Sequence, residues 1–131
     1  MSKFKIPTKV FLAMGGWRQP LLMVDRIDDF KYGENGYVKV IKHVTYNEPY
    51  LLGHFPEDPI MPGAIISEIF GQASEYFSFL CDICDIYQLR TGREFLSLRD
   101  IHTYIDQPDM LEVIHKRRAQ VRGVLAAQNL K

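Results

Sequence analysis

A helical pattern runs from Pro62 to about Leu89, and it constrains the rest of the chain more than any other feature. Ile66, Ile69, Phe70, Ala73, Phe77 and Leu80 form one apolar stripe, widened by Ile65, Tyr76 and Phe79. Glu68, Gln72, Glu75 and Asp82 follow a narrower polar line at i, i+4, i+7 spacing. A helix this apolar around its circumference must be wrapped by other elements rather than laid on a surface. Pro62 suits its first turn, where a missing N–H does no harm, and Thr91-Gly92 ends it.

The material for the wrapping is extended chain. Leu21 to Ile27 reads as a mostly buried strand entering from Pro20. Gly33-Glu34-Asn35-Gly36 is a turn of the kind that joins antiparallel strands, and Tyr37 to Val44 alternates as a second strand. Phe95 to Ile105 reads as a long strand, Pro108-Asp109 as a turn, Met110 to about His115 as another strand, and Val121 to about Leu130 as a last one or two. The order predicts an α+β fold, an antiparallel sheet curled around one long central helix, with a single domain over residues 1–131. Residues 45–63, rich in Pro, Gly, Asn and acids, are expected to form an irregular loop, and a loop that long is usually functional.

Lys+Arg and Asp+Glu balance at 16 each, which argues against a generic nucleic-acid binder. The balance is not uniform, since Lys116, Arg117, Arg118, Arg122 and Lys131 face no acid between Val113 and the end. No apolar run approaches the roughly 18 residues of a membrane span. Pro7, Thr8 and Lys9 interrupt the apolar opening, so it is not read as a signal peptide and a cytoplasmic location is expected. Cys81 and Cys84 form a lone CxxC, too few ligands for zinc and with no strand leading into it, so two reduced helical thiols are expected and no metal.

Three residues between Gly53 and Glu68 could carry proton chemistry. His54 lies in Gly-His-Phe-Pro, where bulky neighbours would exclude water and favour the neutral imidazole of a general base. The alternative is a histidine merely hydrogen-bonded within its loop. Gly63 opens the helix, where free N–H groups and the helix dipole bind an anionic oxygen, or else it is only a turn glycine. Glu68 sits among Ile65, Ile66, Ile69 and Phe70, a setting that favours the proton-donating acid unless the residue lies on a solvated face. Gln72, one turn later, is placed to hold it by a hydrogen bond.

Pro20 through Ile27, Asn47-Glu48-Pro49-Tyr50, Gly53-His54-Phe55-Pro56, Pro59-Ile60-Met61-Pro62-Gly63 and Glu68 through Gln72 resemble, in register over roughly residues 20–80, the FabZ-like hot-dog-fold 3-hydroxyacyl-[acyl-carrier-protein] dehydratases. The resemblance implies a hot-dog dimer with two interfacial sites. His54 would be the catalytic histidine, Glu68 its acidic partner from the facing subunit, and the Gly63 amide the binder of the thioester carbonyl. Glu68 stands where the dehydratase–isomerase branch has Asp, which favours a dehydratase, although Asp58-Pro59 is similar to the isomerase branch. Gly15-Gly16-Trp17-Arg18-Gln19 replaces the usual Pro-His-Arg lead, leaving chain-length preference open. Leu111 onward resembles the final strands but is a strand's worth short after Arg117-Arg118, through a lost strand or an omitted segment.

The expected reaction removes water from a 3-hydroxyacyl thioester in fatty-acid or polyketide/polyene synthesis. It needs no cofactor of its own, because the substrate arrives on the phosphopantetheine arm of acyl carrier protein. Phe55, Met61, Pro62, Ile66 and Gln72 are expected at the substrate, with Leu21, Met23, Ile60 and Phe70 also lining an apolar tunnel. Arg90, Arg93, Arg99, Lys116, Arg117 and Arg118 are the candidate docking surface for the acidic carrier, against the alternative of an ordinary solvated face. A homodimer, a higher oligomer of dimers and a heterodimer all stay open, with no nucleic acid or membrane partner. Two rivals remain, a hot-dog thioesterase or enoyl-CoA hydratase, and a non-catalytic subunit of a heterodimeric dehydratase.

Overall fold

The computed structural model describes residues 4–105 and 108–120. Their elements, in order, are α1 (Thr8–Met14), β1 (Arg26–Lys31), β2 (Tyr37–Ile41), α2 (Gly63–Thr91), α3 (Leu98–Tyr104) and α4 (Pro108–Gln120), with a 3-10 turn at Pro49–Leu52. β1 and β2 pair antiparallel, Arg26 opposite Ile41 and Lys31 opposite Tyr37, and a bulge between Ile27 and Asp29 shifts the register. The predicted turn joins them: the Gly36 N–H donates to the Gly33 carbonyl at 2.8 Å, and Gly33 and Asn35 take positive φ. A Cβ on Gly36 would stand 2.9 Å from the Gly33 carbonyl oxygen, so only glycine fits.

α2 (Gly63–Thr91) is ended by Gly92, through its left-handed φ of 66° and its N–H bond to the Gln88 carbonyl. Its buried face is Gln72, Tyr76, Phe79, Leu80, Ile83, Cys84 and Tyr87. The wrapping expected along the whole helix is therefore confined to its second half. In the first half Ile66 and Phe70 remain exposed, and Ile69, Phe70, Ala73 and Phe77 line an open groove of about 510 Å³ against Val38 and Val40 of β2. α1 supplies Val10, Phe11 and Met14 to the core, Phe11 stacking on Tyr76 with centroids 4.9 Å apart. Trp17 meets the same ring edge-on, and a Cβ on Gly15 would lie 2.7 Å from the Trp17 ring, so this close turn requires glycine.

Several expected strands are not strands. Leu21 to Asp25 lies outside the ladder, which starts at Arg26, because the Met23 N–H is taken by the Gln72 side chain. The second strand ends at Ile41 rather than Val44, where the Asp25 carboxylate accepts the His43 N–H. The long strand expected from Phe95 to Ile105 is a single bridge, Lys31 with Ser97, followed by α3. Ser97 and Asp100 form a capping box there, and Leu98, Ile101 and Ile105 bury one helical face. Met110 to His115, and with it the likeness of Leu111 onward to final strands, is overturned by α4, in which Met110, Val113 and Ile114 are buried at helical spacing and Lys116 pairs with Glu112 at 2.7 Å. The strands expected from Val121 lie outside the described residues. Among the described residues the architecture is thus α+β, with a two-stranded sheet and four helices. None of these helices is long and apolar enough to cross a membrane.

Candidate active site

The His54 loop is assembled from short backbone closures. Glu48 precedes the 3-10 turn, whose Leu51 is buried and donates its N–H to the Glu48 carbonyl at 3.1 Å. Gly53 follows, then a closed segment in which Phe55 and Asp58 exchange backbone bonds at 3.2 Å and the Ile60 N–H donates to the His54 carbonyl at 2.7 Å. The half-buried His54 ring stacks on Phe55, centroids 4.4 Å apart at 22°. His54 Nδ1 lies 2.7 Å from the Ile60 carbonyl oxygen. A carbonyl only accepts, so Nδ1 carries the proton, and in the neutral ring Nε2 presents its lone pair.

Pro62 is the N-cap of α2 and offers no side-chain cap; its carbonyl takes the Ile65 and Ile66 N–H groups at 3.0 and 3.3 Å. The exposed Gly63 therefore opens a helix end at which the Gly63 and Ala64 amides, ahead of the bonded Ile65, can face an anionic oxygen. A Cβ there would meet nothing within 4 Å, so the space beside it is empty.

Glu68, half-buried one turn farther on, is held as expected: Gln72 Nε2 donates to Glu68 Oε1 at 3.0 Å. The same amide donates to the Leu21 carbonyl at 2.8 Å, and its oxygen accepts the Met23 N–H at 3.0 Å. Gln72 is 0% exposed, and three bonds satisfy it. No hydrogen bond joins His54 to Glu68 within the chain, each being engaged by its own neighbour.

Of the other residues expected at the substrate, Phe55, Ile60, Ile66, Phe70 and Leu21 expose apolar surface, Met61 and Pro62 are half-buried, and Met23 is buried in the core. The expected docking residues are scattered. Arg90 closes α2 and lies about 40 Å along the helix from Gly63, at 1.5 Å of rise per residue. Arg93 and Arg99 are exposed beyond it, with Arg99 6.0 Å from the Phe4 ring centre, and Lys116 is paired with Glu112. The side chains of Arg117 and Arg118 lie outside the described residues.

Sequence reasoning missed one feature beside the loop. Lys42 and Glu48 form an ion pair at 2.8 Å with side chains only 12% and 15% exposed. Burial pulls the Lys42 ammonium down, but the Glu48 hydrogen bond and the charges of Asp25 and Glu48 outweigh it, leaving Lys42 above its usual value. Burial, with the Glu48 charge, pushes the neighbouring Tyr50 hydroxyl up as well.

Residues 17–90, the stretch holding all these groups except part of the basic surface, match the model of the FabA-like domain. The chain is 52% identical over 62 residues to the 3-hydroxyacyl-[acyl-carrier-protein] dehydratase FabZ of Thioalkalivibrio sulfidiphilus, covering 47% of this chain and 40% of that one. It is 40% identical over 83 residues to the same-named protein of Cupriavidus taiwanensis (63% and 54%), and 43% over 74 residues to that of Haemophilus influenzae (56% and 49%). The chain spans about half the length of the curated relatives it matches. No solved structure matches it. With the matched residues making up more than half of its length, the chain belongs to the FabA-like domain family.

Proposed function

We propose that the chain is a hot-dog dehydratase subunit that removes water from a 3-hydroxyacyl thioester carried on acyl carrier protein, giving the trans-2-enoyl thioester. One observation carries the reading above the others: the Nδ1 bond fixes the His54 ring to the carbonyl of Ile60, two residues before the uncapped Pro62 end of α2, and leaves Nε2 as the nitrogen with the lone pair. The relatives' printed names support the substrate class.

His54 Nε2 takes the proton from C2 while the thioester oxygen gains negative charge. The Gly63 amide and the α2 N-terminus stabilise that oxygen, a kind of contact whose removal costs roughly 10²–10³ in rate. The C3–O bond breaks with its electron pair on oxygen, and Glu68, in its acid form, supplies the proton that completes the water. Proton exchange with solvent then returns the imidazolium and carboxylate to their starting forms. Gln72 orients the Glu68 carboxyl throughout. Phe55, Ile60, Ile66 and Phe70 are the apolar surface for the acyl chain and for a facing subunit, which supplies Glu68 to this chain's His54. The carrier is the proposed partner. Arg90, at the far end of α2, and Arg93, beyond it, stand too far from the Gly63 end to serve this chain's own His54, so Arg117 and Arg118 are the residues to reverse to Glu, with a greater loss on carrier-bound than on small thioester substrates expected.

The deciding experiment is intact-mass analysis of 3-hydroxyacyl carrier protein. Wild type removes the mass of one water, whereas His54→Ala and Glu68→Gln fall by at least about 10²-fold, within the range assigned to general acid–base catalysis. Full activity in either variant rejects the reading, and release of free thiol instead identifies a thioesterase. The helices α3 and α4, lying where the resemblance implies strands, favour a second reading, a subunit completed by a different partner chain. An active homodimer on gel filtration would remove it.

A further inference from the structure

We propose that Lys42 and Glu48 are positioning residues for His54, an inference that rests on the dehydratase reading. Their ion pair, at 2.8 Å and nearly closed to solvent, joins the end of β2 to the residue from which the 3-10 turn starts. A buried ion pair is a poor device for stability, since apolar replacements are often neutral or stabilising, but it holds one geometry and leaves an unpaired charge if that geometry is lost. Here it sits at the root of the base's loop. Glu48 is tied to Leu51 through its carbonyl and to Thr45 through its N–H, and Leu51 is buried two residues before Gly53-His54. Beyond His54 the segment closes on itself through Ile60 and Phe55–Asp58, then enters α2 at Pro62. The loop is therefore held by the helix end, by the buried Leu51 and by this ion pair. Releasing the Glu48 carboxylate loosens the root, and the His54–Ile60 unit can shift against the α2 N-terminus. The Asp25 carboxylate, the other acid acting on Lys42, favours its ammonium form.

The test reads the imidazole directly, by 15N NMR of the full-length protein, with the His54 signals assigned from their loss in His54→Ala. Wild type shows the single Nδ1-protonated tautomer. Glu48→Gln is expected to populate both tautomers and to lower kcat about 10-fold with KM within about twofold, as misplacement of a catalytic group does. Lys42→Arg, which keeps the charge opposite Glu48, retains both wild-type properties. Where Glu48→Gln does not fold by circular dichroism, the apolar pair Lys42→Met with Glu48→Leu, which removes the bond without stranding a charge, is read in its place. A folded variant that has lost the ion pair yet keeps the wild-type tautomer overturns the proposal, as does a fall in kcat without any change at the imidazole, or failure of both pair-breaking variants to fold. If the imidazole responds while no form of the protein removes water, the dehydratase reading falls and the positioning of His54 stands.

Discussion

Gln72 shows how one side chain can set both a backbone path and an acid. It is fully buried, and each of its bonds goes to a group with no other described partner in the ladder: the Leu21 carbonyl, the Met23 N–H and the Glu68 carboxyl. Gln72→Leu keeps the volume but strands the buried Met23 N–H and takes a partner from the Leu21 carbonyl, so a loss of about 1–3 kcal/mol is expected in urea unfolding. Turnover should fall beyond what partial unfolding explains, because Glu68 also loses the Gln72 hydrogen bond. An unchanged urea midpoint would contradict the clamp. The spacing from Glu68 to Gln72 revealed their hydrogen bond, since residues four apart on a helix meet. It did not reveal the bonds to Leu21 and Met23, which depend on a contact across some fifty positions of sequence.

Among the elements, the hairpin turn and α2 were legible because their signals are local: Gly33 and Gly36 at a tight turn, Pro62 and Gly92 at the helix ends. The stretch after Gly92 was misread because its apolar residues were counted without their spacing. Leu98, Ile101 and Ile105 recur at three and four, and Ser97-x-x-Asp100 announces a helix start. Ser97→Ala is expected to cost about 1 kcal/mol, the usual value for a lost N-cap, with the drop seen in thermal unfolding and in amide exchange over α3. The groups of the candidate site were named from sequence because they crowd into a short segment with opposite chemical characters. Their relative placement was not legible, as no hydrogen bond couples His54 to Glu68 within the chain.

At the scale of the whole molecule, a shared site has a mixing signature. If His54 of one chain works with Glu68 of another, inactive His54→Ala and Glu68→Gln proteins, unfolded together and refolded, regain activity through hybrid dimers that contain one intact site. No recovery would place both groups in one chain's site. The core also predicts an alkaline limit. Burial, ahead of the nearby charges, pushes the Cys84 thiol from its usual 9.0 up to about 12, and the hydrogen bond to Asp85, ahead of burial, pushes Tyr32 from 10.0 up to about 12. Both groups are raised in the folded state, so their stabilisation is complete below pH 9 and is lost as pH climbs toward 12. Melting temperatures should fall across that window, and Cys84 should resist alkylation at pH 9 until the chain unfolds. The Gln72 amide, finally, makes Leu21 and Glu68 mechanically inseparable. A bulky ligand that pries the segment after Pro20 away from α2 would also loosen the grip on the Glu68 carboxyl, so in the proposed reaction the size of a bound chain would be felt at the acid.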